Sequence, residues 1–456
     1  MQRVCSATAS LLNGHLPTPD MRHKIDVVII GAGPAGSTAA ILLARAGWSV
    51  VLIEKQAFPR RKVCGECIAA SNLPLLDALG LGDLFDASAG PELRRVAFMQ
   101  GKNTLIAELP AFDHAKYSWG RALGRETLDT LLLAQAQAAG AVIMQPWSVR
   151  TLGGCAGDYS CEVRAVDSHE KVVLRSPMVI AAQGSWERLA GVHSEHNRKL
   201  RPSDLLAFKA NFRGAALDAG LLPVMSFKGG YGGMVIADQG LLTIACCIQA
   251  GRLASVRRAA PGLSAGRVVG DILQRECAGV ADVLRNARLE ESWLAAGPLH
   301  PGIHFKSNDT FFRIGNAAGE AHPIIGEGMS MAMQSAWLLC GHIVRAGVPS
   351  GSRPAAAAQR QIRALYCAEW RNAFTRRLRL ASVFAHVAMY SSKFSPPLSV
   401  MRHFAPLLKC AAKLSGKVSS VLDADLVASL AAGNAPNYPS SLNASAVYPS
   451  DIRHAS

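Results

Sequence analysis

The sequence predicts an α/β fold: a parallel sheet interleaved with helices, interrupted by an inserted antiparallel sheet and followed by a helical C-terminal region. Three observations carry that prediction. Short apolar runs at 25–30 and 49–53 alternate with helical stretches, as strands buried on both faces do. A glycine-rich turn joins the first of those strands to a helix of small residues. Two regions, about 90–118 and 204–250, hold strand-length runs and turn residues with few helices, the pattern of an antiparallel sheet.

Taken in order, residues 25–30 form a strand broken only by Asp26, and 34–46 a helix. A second strand, 49–53, ends at Glu54. A helix over 127–139 leads through Gly140 into a strand at 141–144, and 159–166, 172–174 and 178–182 read as strands with turns between them. Residues 311–314 form one more strand, followed by a glycine-rich turn and a long helix over 329–346. The remainder is helical, broken at Pro396 and Pro397. Residues 1–23 carry no secretory pattern and read as a disordered extension, with Met21 an alternative start. The segment 434–456, rich in Asn, Ser, Pro and Ala, reads as a disordered tail.

The chain has 456 residues, 18% of them charged, and a mean hydropathy of +0.17, which excludes a disordered protein. No run reaches the roughly 18–20 apolar residues of a transmembrane helix. Eleven cysteines, several in apolar segments (Cys246, Cys247, Cys340), fit reduced core thiols and a cytoplasmic location. The net charge is +15, and residues 351–456, with 13 Lys+Arg against 4 Asp+Glu, hold nine of those charges. Arg371, Arg376, Arg377 and Arg379 lie at helical spacing beside Phe374, Leu378, Leu380 and Phe384. That cluster is either a solvated helix face or a docking face for an acidic partner, a membrane surface or an anionic substrate. It does not require nucleic acid.

Gly31-Ala32-Gly33-Pro34-Ala35-Gly36 follows a buried strand and opens a helix, and Glu54 ends the next strand. Gly31 permits the tight turn, Gly33 lets backbone approach a pyrophosphate, and Gly36 lets the helix pack close. The helix N-terminus, with Pro34 and Ala35, offers N–H groups to phosphate, and Glu54 can accept from a ribose diol, with Lys55 beside it. This is a Rossmann-type dinucleotide site that serves FAD and NAD alike. A second block runs from Arg313 through Gly315, Asn316, Ala317, Ala318, Gly319, Glu320, His322, Pro323, Gly326 and Gly328 to Met329. It describes backbone passing close to a flat ligand and ending at another helix N-terminus.

This pair of blocks resembles the flavoprotein monooxygenases of the para-hydroxybenzoate hydroxylase type, together with the related geranylgeranyl reductases and flavin-dependent halogenases. That superfamily has a Gly-Asp-Ala-Ala motif followed by Pro-x-x-Gly-x-Gly; here Asn316 replaces the Asp. Arg125-x-x-Leu128-Asp129-x-x-Leu132 resembles a segment whose arginine approaches FAD, and residues 181–188 resemble a segment linked to FAD and NAD(P)H, with Gln183 in place of its Asp. Cys64-Gly65-Glu66 resembles the reductase branch. Cys64 and Cys67 also permit a redox dithiol or a metal pair, although no second nicotinamide-binding unit or second ligand pair is visible and no metal is expected. A halogenase should carry Trp-x-Trp-x-Ile-Pro in its substrate sheet. The corresponding region, 229–236, is glycine-rich without those tryptophans, which argues against halogenation. Its glycines bring backbone near flavin or substrate, or mark a cluster of bulges.

The resemblance implies a discontinuous FAD-binding domain (24–89, 119–200 and 300–350), a substrate-binding sheet domain (90–118 and 201–299) and C-terminal helices (351–433). It implies FAD held by Gly31, Gly33, Pro34, Ala35, Gly36, Glu54, Lys55, Cys64, Gly65, Arg125, Asn316, Pro323, Gly326, Gly328 and Met329. His322, Glu320 and Glu66 are the candidate catalytic groups. NAD(P)H or a separate flavin reductase supplies electrons. The expected reaction is hydroxylation of an aromatic or other electron-rich substrate with O2, the substrate being a small molecule or tethered to a carrier or protein. The alternatives are reduction of isoprenoid-type C=C bonds, halogenation, and a flavin-binding protein that docks a partner.

Overall fold

The computed structural model describes residues 24–185, 199–346 and 355–390. The predicted extension 1–23, residues 186–188 of the fourth motif, the break at Pro396 and Pro397, the predicted helical residues 391–433 and the tail 434–456 lie outside the described residues.

Five parallel strands form the first sheet, in the order Val142–Met144, Val50–Ile53, Val27–Ile30, Met178–Ala181, Phe312–Arg313. Numbered along the chain this is 3-2-1-4-5, so the order reverses between Val27–Ile30 and Met178–Ala181, where ligands bind in such sheets. Both faces are covered, which explains the unbroken apolar runs. Val27, Ile29, Val50 and Leu52 pack on the helices Pro34–Arg45, Arg125–Ala138 and Gly328–Arg345. Val28, Ile30, Val51 and Ile53 pack on Tyr159, Cys161, Val163 and Leu174. Those four belong to an antiparallel meander of Trp147–Cys155, Asp158–Ala165 and Lys171–Ser176.

The second sheet has eight strands drawn from two stretches of chain. Its main path runs Arg288–Leu289, Leu205–Arg213, Leu242–Gln249, Gly230–Ile236, Leu221–Phe227, Arg95–Gln100, Asn103–Glu108, with Leu294–Ala296 also paired to Leu205–Arg213. Every pairing is antiparallel except Leu221–Phe227 with Arg95–Gln100, the seam where the two stretches meet. Gly230–Ile236 pairs in continuous register with Leu242–Gln249, so the alternative of a bulge cluster at its glycines does not hold. Instead the glycines permit close packing: a Cβ at Gly230 would lie 2.2 Å from the Phe227 ring.

One face of this sheet is covered by the helices Ala250–Ala259, Ala265–Glu276 and Ala278–Leu284, with Val268, Ile272 and Val280 packed on Met225, Ile244 and Cys246. The sequence reading assigned no helices to this part of the sheet region. They are short and rich in Ala and Gly, with a start signal only at Ser264, whose Oγ accepts from Arg267 N at 3.3 Å.

The helix Ala356–Tyr390 joins the two sheets. Ile362, Tyr366, Trp370, Phe374 and Leu378 enter the core of the parallel domain, whereas Ala385 and Ala388 pack with Leu205, Ala207 and Tyr231 of the second sheet. Arg377 falls on the buried stripe. It is 5% exposed and donates to Gln334 Oε1 at 3.0 Å. The arginine cluster is therefore not one uniform surface face: Arg371, Arg376 and Arg379 are exposed and Arg377 is interior. Among the described residues no helix is long and apolar enough to cross a membrane.

Candidate functional site

A cavity of about 1190 Å³ lies between the two sheets, running from the turn after Val27–Ile30 to the inner face of the eight-stranded sheet. Gly31 holds φ +100°, and a Cβ there would sit 2.7 Å from Ala182 O on the neighbouring strand. A Cβ at Gly36 would sit 1.8 Å from Gly31 O, so the helix rests directly on the turn. The helix begins at Gly33 with no side-chain cap, and its first-turn N–H groups have no helical acceptors. Glu54 closes the side of this cradle, accepting from Ala32 N and Gln56 N, each at 3.0 Å.

Arg125 lies over the same turn. Its guanidinium makes two 2.7 Å hydrogen bonds to Asp129 and comes within 3.7 Å of a Cβ built at Gly33. Burial alone would lower its pKa, but the ion pair with Asp129 outweighs that and holds it above the ordinary arginine value. Arg60 reaches Glu54 at 3.5 Å and Asp129 at 3.4 Å through one nitrogen. Its Nε and Nη1 are buried with no hydrogen-bond partner, as is Gln183 Oε1, and both residues line the cavity. Orphaned polar atoms at a glycine cradle that no Cβ could share are what a bound dinucleotide would satisfy. The residues present therefore fit FAD.

The second block forms the opposite wall. Gly315 takes φ +58° and donates its N–H to Ser335 Oγ at 2.9 Å. Asn316 donates to Ser185 Oγ at 2.8 Å. The chain then turns through Gly326, at φ +66°, into Gly328–Arg345, whose first residues, Gly328 and Met329, line the cavity.

Beyond these walls the lining becomes hydrocarbon: Val96, Phe98, Leu222, Val224, Val235 and Phe384 are among its residues. Two polar groupings stand at the junction. Glu66, at φ +58°, is 1% exposed and pairs through Oε1 with the equally buried Lys209 Nζ and with Arg125 N at 3.1 Å. Its Oε2 accepts from Thr243 Oγ1 at 2.5 Å. The carboxylate thus ties the Cys64–Cys67 loop to the second sheet. The other grouping is Tyr231 and His322, whose hydroxyl and Nδ1 lie 3.1 Å apart. Burial lowers the His322 pKa to about 4, so the imidazole is neutral at pH 7, and burial raises the Tyr231 and Glu320 pKa values. Glu320 Oε2 also accepts weakly from His300 N at 3.4 Å.

Of the residues selected from sequence, Gly31, Gly33, Pro34, Ala35, Glu54, Cys64, Gly65, Glu66, Arg125, Asn316, Glu320, Pro323, Gly326, Gly328 and Met329 line this one cavity. Gly36 supports the turn from behind. His322 reaches the cavity through its Tyr231 partner. Lys55 is exposed and lines a smaller recess with Gln56, Arg61 and Lys62. The sequence reading did not select Arg60, Lys209, Thr243 or Tyr231. The one sequence signal for Lys209 is a lysine between Phe208 and Ala210 in the middle of the strand Leu205–Arg213.

A family model described as an FAD binding domain matches residues 24–346. The chain is 28% identical over 335 residues to conditioned medium factor receptor 1 of Dictyostelium discoideum, covering 69% of this chain and 62% of that protein. It is 34% identical over 119 residues to a tryptophan 2-halogenase of Chondromyces crocatus, covering 26% and 22% of the two chains. It is 36% identical over 116 residues to a menaquinone reductase of Mycobacterium tuberculosis, covering 25% and 28%. The chain thus spans under two thirds of the length of these relatives. In fold it is similar to the myxobacterial chondrochloren halogenase CndH, with a TM-score of 0.65 and 17% identity over 90% of this chain and 97% of that one. It is also similar to PqsL of Pseudomonas aeruginosa, with a TM-score of 0.63 and 18% identity over 82% and 98%.

Proposed function

Because the chain belongs to the FAD-binding domain family and is an FAD-dependent oxidoreductase, we propose that it is a monooxygenase that hydroxylates an aromatic or other electron-rich, largely apolar substrate. The observation that carries this reading is the continuity of the cavity. One end is a dinucleotide cradle and the other is walled by hydrocarbon, with a neutral His322–Tyr231 pair between them.

FAD would be held by the Gly31–Ala35 turn, Glu54, Arg60 and Arg125 on one wall and by Asn316 and the Pro323–Met329 turn on the opposite wall. Bound there and reduced, it supplies the electrons that activate O2. The chain's own residues do the rest. The hydrocarbon wall excludes water from the reacting centre, and a dry site protects reactive oxygen chemistry from side reactions. Tyr231, backed by neutral His322, can hydrogen-bond a substrate oxygen or move one proton without placing a charge in the cavity. Glu66, with both oxygens taken, holds the Cys64–Cys67 loop in place. One oxygen atom goes to the substrate and the other to water, with two electrons drawn from NAD(P)H or a separate flavin reductase and two protons from solvent. The nine described cysteines are all free, which supports the cytoplasm as the site of action.

A second reading, reduction of a C=C bond in an isoprenoid-type substrate, is favoured by the same hydrocarbon wall and by Cys64-Gly65-Glu66 lining it. One experiment separates the two. FAD-loaded protein with a reductant and candidate apolar substrates is supplied with ¹⁸O-labelled O2, and in parallel kept anaerobic. Monooxygenation gives a labelled product and no anaerobic turnover; substrate consumed anaerobically and without label establishes the reductase instead.

A further inference from the structure

The end of the Ala356–Tyr390 helix carries a feature that the reaction does not use. Val383, Val387 and Tyr390 are 57%, 58% and 41% exposed, and all three also line the cavity, so they stand at its mouth. Their i, i+4, i+7 spacing makes one stripe, opposite Ala381, Ala385 and Ala388, which are buried. Single exposed apolar residues are ordinary, as Val166 and Val173 are here. Three on one stripe beside an opening into an apolar cavity are not. The helix is held in place there: Gly229 N donates to Met389 O at 3.3 Å, and Gln249 Nε2 donates to the Tyr390 hydroxyl at 3.3 Å.

On the helix itself the charge beside the stripe has one sign; on the second-sheet side Glu276 accepts from Lys228 N at 2.9 Å and pairs with Arg252 at 2.7 Å. Arg376 and Arg379 are exposed one to two turns before Val383, Lys228 is exposed next to the Gly229 contact, and positions 370–390 contain no Asp or Glu. Aliphatic side chains, a tyrosine and cations on one helix face form the pattern of a segment that lies in a lipid interface without crossing it. We propose that this face docks the protein on an anionic lipid bilayer, with the cavity mouth against the lipid so that the apolar substrate enters from the membrane. The route of the substrate rests on the apolar-substrate reading above; the docking itself does not.

The test is flotation of the FAD-loaded full chain with vesicles of phosphatidylcholine, with and without phosphatidylglycerol, in the absence of substrate. The expected result is binding that requires phosphatidylglycerol and weakens with salt. Arg376→Glu/Arg379→Glu, confined to exposed side chains, should weaken it at least tenfold, and Val383→Asp/Val387→Asp should abolish it, with flavin content retained in both. The proposal is overturned if the wild-type chain binds neither kind of vesicle, if it binds both equally, or if neither variant changes binding. It is also overturned if the valine variant alters sedimentation mass while the wild type ignores vesicles, since the face would then join two copies. Because no turnover is measured, a failure of the proposed reaction leaves this result readable on its own.

Discussion

Where the cavity passes between Gly31 and Arg125 its walls are backbone and ion pairs, and where it passes beneath Val224 and Val235 they are hydrocarbon. The first region leaves no room for variation: a Cβ at Gly31 or Gly36 would strike a carbonyl oxygen. The second asks only for apolar side chains of suitable size, a demand that many sequences meet. The two are joined by Glu66 and Lys209, one from each side. A dinucleotide end can therefore stay the same while the substrate end changes, and the partial-length relatives carry names as different as halogenase and menaquinone reductase.

The cradle is the place where one atom has the largest effect. Gly36→Val puts its first carbon 1.8 Å from Gly31 O, a clash with backbone that no rotamer relieves. The expected outcome is a chain that is insoluble or purifies without flavin, read from the visible absorbance of the purified protein. A yellow, fully loaded Gly36→Val protein would remove the cradle from the argument.

That contrast also explains what could be read in advance. The strands of the parallel sheet, the glycine turn, Glu54 and the glycine-rich turn before Met329 were legible, because two-sided burial and close backbone approach to a ligand each leave a local pattern in the sequence. Arg125 and Asn316 were reached only through the resemblance to a family. The junction was not. Lys209 is 143 positions from Glu66, and His322 is 91 from Tyr231, and no periodicity links residues so far apart. Arg377 was misplaced because a composition count cannot show which turn of a helix faces a core. The helices between Ala250 and Leu284 were missed although Val268, Val269, Ile272 and Leu273 make a clear apolar stripe on Ala265–Glu276, because all three are short and lie between strands of one sheet.

The junction comes next in size. Lys209→Met leaves the Glu66 carboxylate buried with Thr243 and the Arg125 N–H but without its cation. Removing one partner of a buried pair costs about 3–5 kcal/mol. Chemical denaturation of the loaded protein should show that loss, and Lys209→Met/Glu66→Gln should recover most of it, because no buried charge then remains. If the double variant is no more stable than the single one, Glu66 is tied in by its hydrogen bonds and not by Lys209.

The smallest expected effect lies at the Tyr231–His322 pair, and its sign is specific. His322 is held neutral by burial, with its pKa lowered to about 4 from 6.5. As pH falls below 6.5 the unfolded chain takes up a proton that the folded chain refuses, so His322 costs stability progressively until about pH 4. At about 1.4 kcal/mol per pH unit this amounts to at most about 2 kcal/mol between pH 6.5 and 5. Glu320 acts in the opposite sense: burial raises its pKa, so the folded chain takes up its proton first, and the desolvation cost of its charge is relieved as pH falls. A measured stability curve sums these two with other shifted carboxylates, Glu126 (raised by burial) and Glu290 (lowered by Arg213) among them, and His322→Asn isolates the histidine. That variant should lose less stability than the wild type between pH 6.5 and 5, by up to about 2 kcal/mol, with a constant offset between the two curves above pH 7. Parallel curves would mean that His322 titrates normally in the folded protein, and the apolar end of the cavity would then be wetter than its lining implies.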